Sequence, residues 1–132
     1  MGCLDGSSGQ PEPGVGLQAA SDTKSQIIHV DPHGAYDLIQ GERPPVVLDI
    51  RTAEELSSGI IDGAVHRDFR SEDFAASLAD LPVDRTILVT CASGGRSRRS
   101  LAVLQRAGFT NLVHLDGGMQ AWAATGLPVS KP

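Results

Sequence analysis

The fold is decided by residues 86–106, which read TILVTCASGGRSRRSLAVLQR. The first five, Thr86–Thr90, are rich in β-branched residues and are predicted to form a strand. The next six, Cys91–Arg96, are mostly small and include two adjacent glycines, which is typical of a tight loop. From Ser97 onward, leucines and alanines recur at helical spacing as far as Gly108, a natural C-terminal stop. The stretch therefore predicts a strand, a loop and a helix in succession.

The rest of the chain continues this alternation. Four further apolar runs are predicted to be strands: Ile27–Val30, Val46–Ile50, Ala64–His66 and Leu112–Leu115. Helix signals separate them: an N-cap and proline at Asp31-Pro32, a capping box at Thr52 and Glu55, a cap at Ser71, and a last helix over Met119–Thr125. Apolar strands alternating with helices predict an α/β domain with a mainly parallel sheet covered on both faces. Ligands of such sheets bind beyond the carboxyl ends of the strands, where Cys91 lies.

The composition fits one soluble globular domain. The chain has 132 residues, of which 40% are hydrophobic and 20% charged, and only 4% are aromatic. Aliphatic side chains must therefore build the core. A net charge of -5 argues against a nucleic-acid surface. No run of about 18 apolar residues exists, so no membrane-spanning segment is expected. Nothing in the sequence demands a dimer, and we expect a monomer.

Residues 1–25 are predicted to be a flexible tail, and residues 26–132 the folded domain, because the first stretch is rich in Gly, Ser and Pro. The two cysteines, Cys3 and Cys91, lie far apart, so we expect no disulfide framework. Gly2-Cys3 resembles the end of a bacterial lipoprotein signal, which would tether the protein outside the cytoplasm. An incidental tail cysteine or a cloning artefact explains it equally well, and a cytoplasmic location stays open.

The Cys91 loop has the features of an anion site. Its small residues allow several backbone N–H groups to point inward, and Gly94 and Gly95 can adopt conformations closed to other residues. The following helix directs its positive end at the same point, and Arg96 adds a full charge. These surroundings lower the pKa of a cysteine and favour the nucleophilic thiolate. A cysteine after a strand is often only a small buried apolar residue, but Arg96 and the glycine pair are not needed for that role.

Three patches of sequence together resemble the rhodanese homology domain, over about Ile27 to Val129. They are Leu48–Thr52 with Glu54-Glu55 and Gly59–Ala64, then the Cys91 loop with Arg96-Ser97, and finally Leu115–Gly118 with Ala121-Trp122 and Gly126–Val129. Each patch alone is a weak to moderate signal. Their order and spacing together are specific to the family.

The resemblance implies a three-layer α/β domain with a five-stranded, mainly parallel sheet. It implies a sulfurtransferase without a cofactor, in which Cys91 takes sulfane sulfur from a donor such as thiosulfate. The resulting persulfide would pass sulfur to cyanide or to a thiol or protein acceptor. The expected substrate-binding residues are those of the loop: Ala92, Ser93, Gly94, Gly95, Arg96 and Ser97.

The length of the loop separates branches of this fold. Four residues lie between Cys91 and Arg96, as in the sulfurtransferases that the chain resembles. The related phosphatases and arsenate reductases use one more, and protein-tyrosine phosphatases place a histidine where Thr90 stands. Both points favour sulfur transfer. The alternatives are a phosphatase or arsenate reductase, a non-enzymatic binding module, and a sulfur carrier that serves one dedicated protein.

A few other polar residues have both a functional and a structural interpretation. Arg67 is a candidate second anion contact, with a solvated surface charge as the alternative. Asp49 and Arg51 either flank the active-site edge or form a buried structural pair, and we favour the pair. The four histidines lack metal-ligand spacing, so no metal is expected, and His114 is expected to be packed within its strand. Trp122 is predicted to lie in the core.

Overall fold

The computed structural model describes residues 26–132, so the predictions for the 1–25 tail and for Cys3 lie outside the described part of the chain. The strands are β1 (Gln26–Val30), β2 (Val46–Asp49), β3 (Val65–His66), β4 (Ile87–Thr90) and β5 (Asn111–Leu115). The helices are α1 (Pro32–Ile39), α2 (Phe74–Ser77), α3 (Gly95–Arg106) and α4 (Gly118–Ala124), with a 3-10 helix at Glu55–Ser58. Of the helices within residues 26–132, none has the length and apolar character needed to cross a bilayer.

The five strands form one parallel sheet in the order β1-β5-β4-β2-β3. The α/β fold with a parallel sheet, predicted from the alternating pattern, and the five strands that the resemblance implies are therefore confirmed. Strand β4 lies at the centre, hydrogen-bonded to β5 on one side and β2 on the other, and all four of its residues are buried. A strand covered on both faces reads as a continuous apolar run, which explains its β-branched sequence.

Each face of the sheet has its own apolar core. On one face, α2 and α3 contribute residues such as Phe74 and Leu104. On the other face, α1 and α4 contribute Ala35 and Trp122. Trp122 is 1% exposed and its ring N–H donates to the carbonyl of Pro128, so its predicted place in the core is confirmed.

The predicted caps at Asp31 and at Thr52 with Glu55 are confirmed. The Asp31 carboxylate accepts the N–H of Gly34 at 2.8 Å. Thr52 donates its N–H to the Glu55 carboxylate at 2.9 Å, and Glu55 donates its N–H back to the Thr52 hydroxyl at 3.4 Å. This reciprocal pair is a capping box at the start of the 3-10 helix.

Two predicted helix starts differ from the structure. Ser71 does not cap a full helix, because its hydroxyl accepts the N–H of Asp73 and α2 has only one turn. Helix α3 begins at Gly95, two residues before the predicted start, since Gly94 turns the chain with a φ of 101°. That positive φ is open to glycine at little cost. The Cys91 loop is therefore shorter, and the helix end closer to Cys91, than the sequence indicated.

Candidate active site

Cys91 lies immediately beyond the carboxyl end of the central strand β4, where ligands of parallel sheets bind. It is 1% exposed. Helix α3 begins four residues later, and its first turn faces the sulfur. The Gly94 N–H donates to Cys91 Sγ at 3.1 Å and the Ser97 N–H at 3.4 Å. The start of α3 thus directs two backbone donors at one sulfur atom, which favours negative charge there.

The backbone carbonyls of Cys91 and Ala92 in the loop accept hydrogen bonds from α4. They accept the N–H groups of Met119 and Gln120 at 2.8 and 2.9 Å, at the start of α4. Gly118 makes this close approach possible, because a Cβ atom there would lie 2.5 Å from the Cys91 oxygen. With its carbonyls held by α4, the loop is left with N–H groups turned toward the sulfur, as an anion site requires.

Ser97 connects the sulfur to a buried polar chain. Its hydroxyl lies 3.5 Å from Cys91 Sγ and 2.7 Å from His114 Nε2. His114 Nδ1 in turn lies 3.1 Å from a carboxylate oxygen of Asp116. Burial lowers the pKa of His114, which favours the neutral imidazole. His114 is thus packed in its strand, but it also has polar partners on both ring nitrogens.

The surroundings of Cys91 have opposing effects on its pKa. Burial raises it, while the Ser97 hydroxyl and the backbone N–H groups of Ser97, Gly94 and Ser93 lower it, and the net effect is a lowered pKa. Hydrogen bonds to the charged form outweigh the loss of solvent, because several donors converge on one atom. The thiolate, the nucleophilic form of cysteine, is therefore favoured.

Arg96 is held beside the loop by an acidic partner. Its two terminal nitrogens donate to the two carboxylate oxygens of Glu55, each at 2.8 Å. The pair raises the pKa of Arg96 and lowers that of Glu55 from 4.5 to about 2. Bidentate geometry of this kind fixes the guanidinium plane. The sequence indicated Arg96 as the local positive charge, but nothing in it indicated that Glu55 would offset that charge.

Asp49 and Arg51 form a buried ion pair at the end of β2, with 2.7 Å between Asp49 Oδ2 and Arg51 Nη2. Arg51 also donates to the carbonyls of Glu55 and Gly59 at 3.2 and 2.8 Å. The structure has the structural pair that the sequence favoured. Because it holds the segment that carries Glu55, the pair supports the position of Arg96 indirectly.

Arg67 does not contact the Cys91 loop in the described structure. Its guanidinium donates to the carbonyls of Ser77 and His66 and to the carboxylate of Asp80. The candidate role as a second anion contact is therefore without support from this geometry. Arg67 instead ties the end of β3 to α2.

An open depression of about 330 Å³ adjoins the loop. Ala92, Arg51, Glu55 and Met119 are among the residues that line it. It is large enough for a small anion or a small thiol, and it is bounded on one side by the loop that holds Cys91.

Sequence reasoning missed three parts of this arrangement: Glu55 as the partner of Arg96, the Ser97–His114–Asp116 chain, and the role of Gly118. Glu55 and Arg96 are 41 residues apart, and Ser97 and His114 are 17 apart. The helical or strand spacing of either partner carries no signal for such contacts. The only available signal was that the residues of each set lie at or beyond the carboxyl ends of neighbouring parallel strands.

Known proteins share this sequence and fold. The profile of the rhodanese-like domain matches residues 31–125. The thiosulfate sulfurtransferase GlpE of Pseudomonas putida is 37% identical over 102 residues, covering 76% of this chain and 89% of that protein. The probable adenylyltransferase/sulfurtransferase MoeZ of Mycobacterium tuberculosis is 36% identical over 94 residues, covering 71% of this chain. The match spans only 24% of the length of MoeZ.

A solved structure gives the same result for the fold. The crystal structure of a rhodanese-related protein from Thermoplasma volcanium superposes with a TM-score of 0.70 at 27% identity. The superposition covers 80% of this chain and 99% of that one. The matched sequence includes β4, the Cys91 loop and α3, so the similarity extends to the site as well as to the sheet. The chain therefore belongs to the rhodanese-like domain family.

Proposed function

We propose that this protein is a sulfurtransferase in which Cys91 carries sulfur as a persulfide. The observation that carries the proposal is the convergence of the Gly94 and Ser97 N–H groups on Cys91 Sγ, at 3.1 and 3.4 Å. The names of related proteins, such as the thiosulfate sulfurtransferase GlpE, support the same reaction class. The proposed donor is a small sulfur-containing anion such as thiosulfate, and the acceptor is cyanide or a thiol.

The proposed cycle has two displacements. In the first, the Cys91 thiolate attacks the sulfane sulfur of thiosulfate. A new bond forms between that sulfur and Sγ, the S–S bond of thiosulfate breaks, and sulfite leaves with the electron pair. In the second, cyanide attacks the terminal sulfur of the persulfide, thiocyanate leaves, and the thiolate is restored. Neither displacement requires a proton or a redox partner, which suits a site built from hydrogen-bond donors.

Backbone donors carry most of the recognition in this proposal. Glu55 occupies both terminal nitrogens of Arg96, so an approaching anion gains less from Arg96 than it would from a free arginine. The N–H groups at the start of α3 have no such competitor for the sulfur. They would stabilise the thiolate before loading and the terminal sulfur of the persulfide after it.

The test is a comparison of the wild-type protein with Cys91→Ala, with Cys3→Ala as the matched cysteine control. After incubation with thiosulfate, intact mass spectrometry is expected to show one added sulfur atom in wild type and in Cys3→Ala, removed by cyanide. Thiocyanate formation should follow the same pattern and be lost in Cys91→Ala.

Equal sulfur loading of Cys91→Ala and wild type would remove Cys91 from the mechanism. Hydrolysis of a phenyl phosphate without sulfur loading would favour the phosphatase alternative on this fold. The absence of both activities would favour a non-enzymatic binding module.

A further inference from the structure

A polar cluster lies beside the active-site loop, on the neighbouring strands β1 and β5 at one edge of the sheet. Strands β1 and β5 run parallel, and their register places His29 directly opposite His114. The two imidazole rings lie 5.1 Å apart, edge to face. Asp116 follows β5 and approaches the same nitrogen atoms. Two imidazoles and a carboxylate therefore converge on one point.

The spacing of their atoms fits a tetrahedral metal ion. The two Nδ1 atoms are 3.1 Å apart, and Asp116 Oδ1 lies 3.1 Å from His114 Nδ1 and 3.8 Å from His29 Nδ1. Ligands about 2.0–2.1 Å from a tetrahedral zinc ion lie about 3.3–3.4 Å from one another. Two of the observed separations are slightly shorter than this value and the third is slightly longer. Two histidines and a carboxylate also form a donor set that zinc uses in proteins.

The second ring nitrogen of His114, Nε2, already has the contacts that a metal-binding histidine needs. Nε2 lies 2.7 Å from Ser97 Oγ and 3.3 Å from the carbonyl of Gly94. When an ion takes the place of a proton between Nδ1 and the Asp116 carboxylate, Nε2 carries the ring proton and the Gly94 carbonyl can accept it. That tautomer leaves a lone pair on Nδ1, toward His29 and Asp116. Metal-binding histidines usually donate their second ring N–H in this way.

Access and charge also suit an ion. His114 is 1% exposed and gives the cluster a fixed position, whereas the side chains of His29 and Asp116 are 39% and 49% exposed. A fourth ligand position would therefore face solvent. Arg98 opposes the ion, because its guanidinium lies 3.5 Å from the same Asp116 oxygen. The Arg98 side chain is 64% exposed, so it can move aside, and its charge weakens binding without blocking the site.

We propose that His29, His114 and Asp116 form a binding site for a divalent transition ion of the zinc class. The site is distinct from Cys91 and does not depend on the proposed sulfurtransferase activity. It shares one link with the active site, since His114 also contacts Ser97. The expectation of no metal came from sequence spacing, which does not show that residues 85 positions apart face each other across β1 and β5.

Zinc binding to the chelator-stripped full chain can be measured by calorimetry with zinc chloride. We expect one ion per chain at this site, and an affinity at least tenfold lower in His29→Ala. His33→Ala is the matched control, because His33 is an exposed histidine on α1 outside the cluster. Asp116→Asn should also weaken binding, and Arg98→Ala should strengthen it by removing the opposing charge. Variants of the buried His114 are not needed, which avoids confusing lost binding with misfolding.

Cobalt substitution identifies the ligands. We expect a tetrahedral cobalt absorption spectrum without a thiolate-to-metal charge-transfer band, since all three proposed ligands are nitrogen or oxygen. Zinc should also raise the melting temperature of wild type and of His33→Ala more than that of His29→Ala. Equal zinc affinity of wild type and His29→Ala, a thiolate band that disappears in Cys91→Ala, or no measurable binding would each overturn the proposal.

Discussion

The hydroxyl of Ser97 lies 3.5 Å from Cys91 Sγ and is the one side-chain group among those that lower the pKa of Cys91. In Ser97→Ala the backbone N–H groups remain but the hydroxyl is lost, so we expect the pKa of Cys91 to rise, because a hydrogen bond to the charged form stabilises the thiolate. The thiolate would then form at higher pH. The rate of alkylation by iodoacetamide, followed against pH, measures this shift directly.

Ser57→Ala is the control for this substitution, because Ser57 is exposed and its hydroxyl contacts only the Glu54 carbonyl among the described hydrogen bonds. Its alkylation profile should match that of wild type. Ser97→Thr should restore part of the shift by returning a hydroxyl. An unchanged profile in Ser97→Ala would mean that backbone donors alone set the pKa of Cys91.

The charge of Glu55 is tied to Arg96, which lowers the pKa of Glu55 from 4.5 to about 2. A carboxyl with a lowered pKa stabilises the fold above its unfolded pKa, and this effect is lost as the pH falls toward the folded value. We expect Glu55→Gln to lower the free energy of unfolding by about 1 kcal/mol at neutral pH. This is less than the full pKa shift implies, because the Glu55 side chain is 32% exposed.

Urea unfolding at several pH values tests this expectation. The difference in the free energy of unfolding between wild type and Glu55→Gln should be constant above about pH 4.5. It should become smaller as the pH falls from 4.5 to 2. Glutamine keeps an oxygen for the Thr52 N–H, so the substitution removes mainly the charge. Glu54→Gln, at the exposed neighbouring position, should show no difference. A difference that does not vary with pH would exclude the ion pair as its cause.

At the scale of elements, the start of α4 fixes the shape of the Cys91 loop through Gly118. A methyl group there would lie 2.5 Å from the Cys91 oxygen and 2.7 Å from the Ala92 oxygen, on a backbone with a φ of 60°. We expect Gly118→Ala to push α4 away from the loop, to destabilise the protein by about 2 kcal/mol or more, and to impair sulfur loading.

Gly63→Ala is the control that distinguishes the steric clash expected at Gly118 from the backbone strain of a positive φ. Gly63 also has a positive φ, of 82°, but a Cβ atom there meets nothing within 4 Å. It should therefore lose only about 1 kcal/mol and keep full sulfur loading. Equal losses of stability and loading in both variants would show that the approach of α4 does not shape the site.

At the scale of the whole molecule, two cores share one sheet, so we expect the domain to unfold in a single step. Leu104, on α3, is 0% exposed, and Leu104→Ala should lower the free energy of unfolding by roughly 2–5 kcal/mol. Leu38→Ala, at a 38% exposed position on α1, should lower it by less than about 1 kcal/mol. Separate transitions by fluorescence and circular dichroism would contradict a single cooperative unit.

The sequence predicted the strands of this molecule well and its helix starts less well. The run at Thr86–Thr90 was recognisable because a central parallel strand is apolar on both faces. The sequence predicts a start of α3 at Ser97, because no local pattern shows that Gly94 takes a left-handed conformation and that the helix begins at Gly95. The one-turn length of α2 is likewise not indicated by the cap signal at Ser71.

The sequence by itself determined the α/β fold and the place of Cys91, because hydrophobic periodicity and local turn chemistry act over a few residues. Only the tertiary structure decided which groups surround Cys91. Glu55 meets Arg96, and His29 meets His114, only because the carboxyl ends of parallel strands lie side by side in the sheet. Contacts between residues 41 and 85 positions apart depend on strand order and register, and no local pattern encodes either.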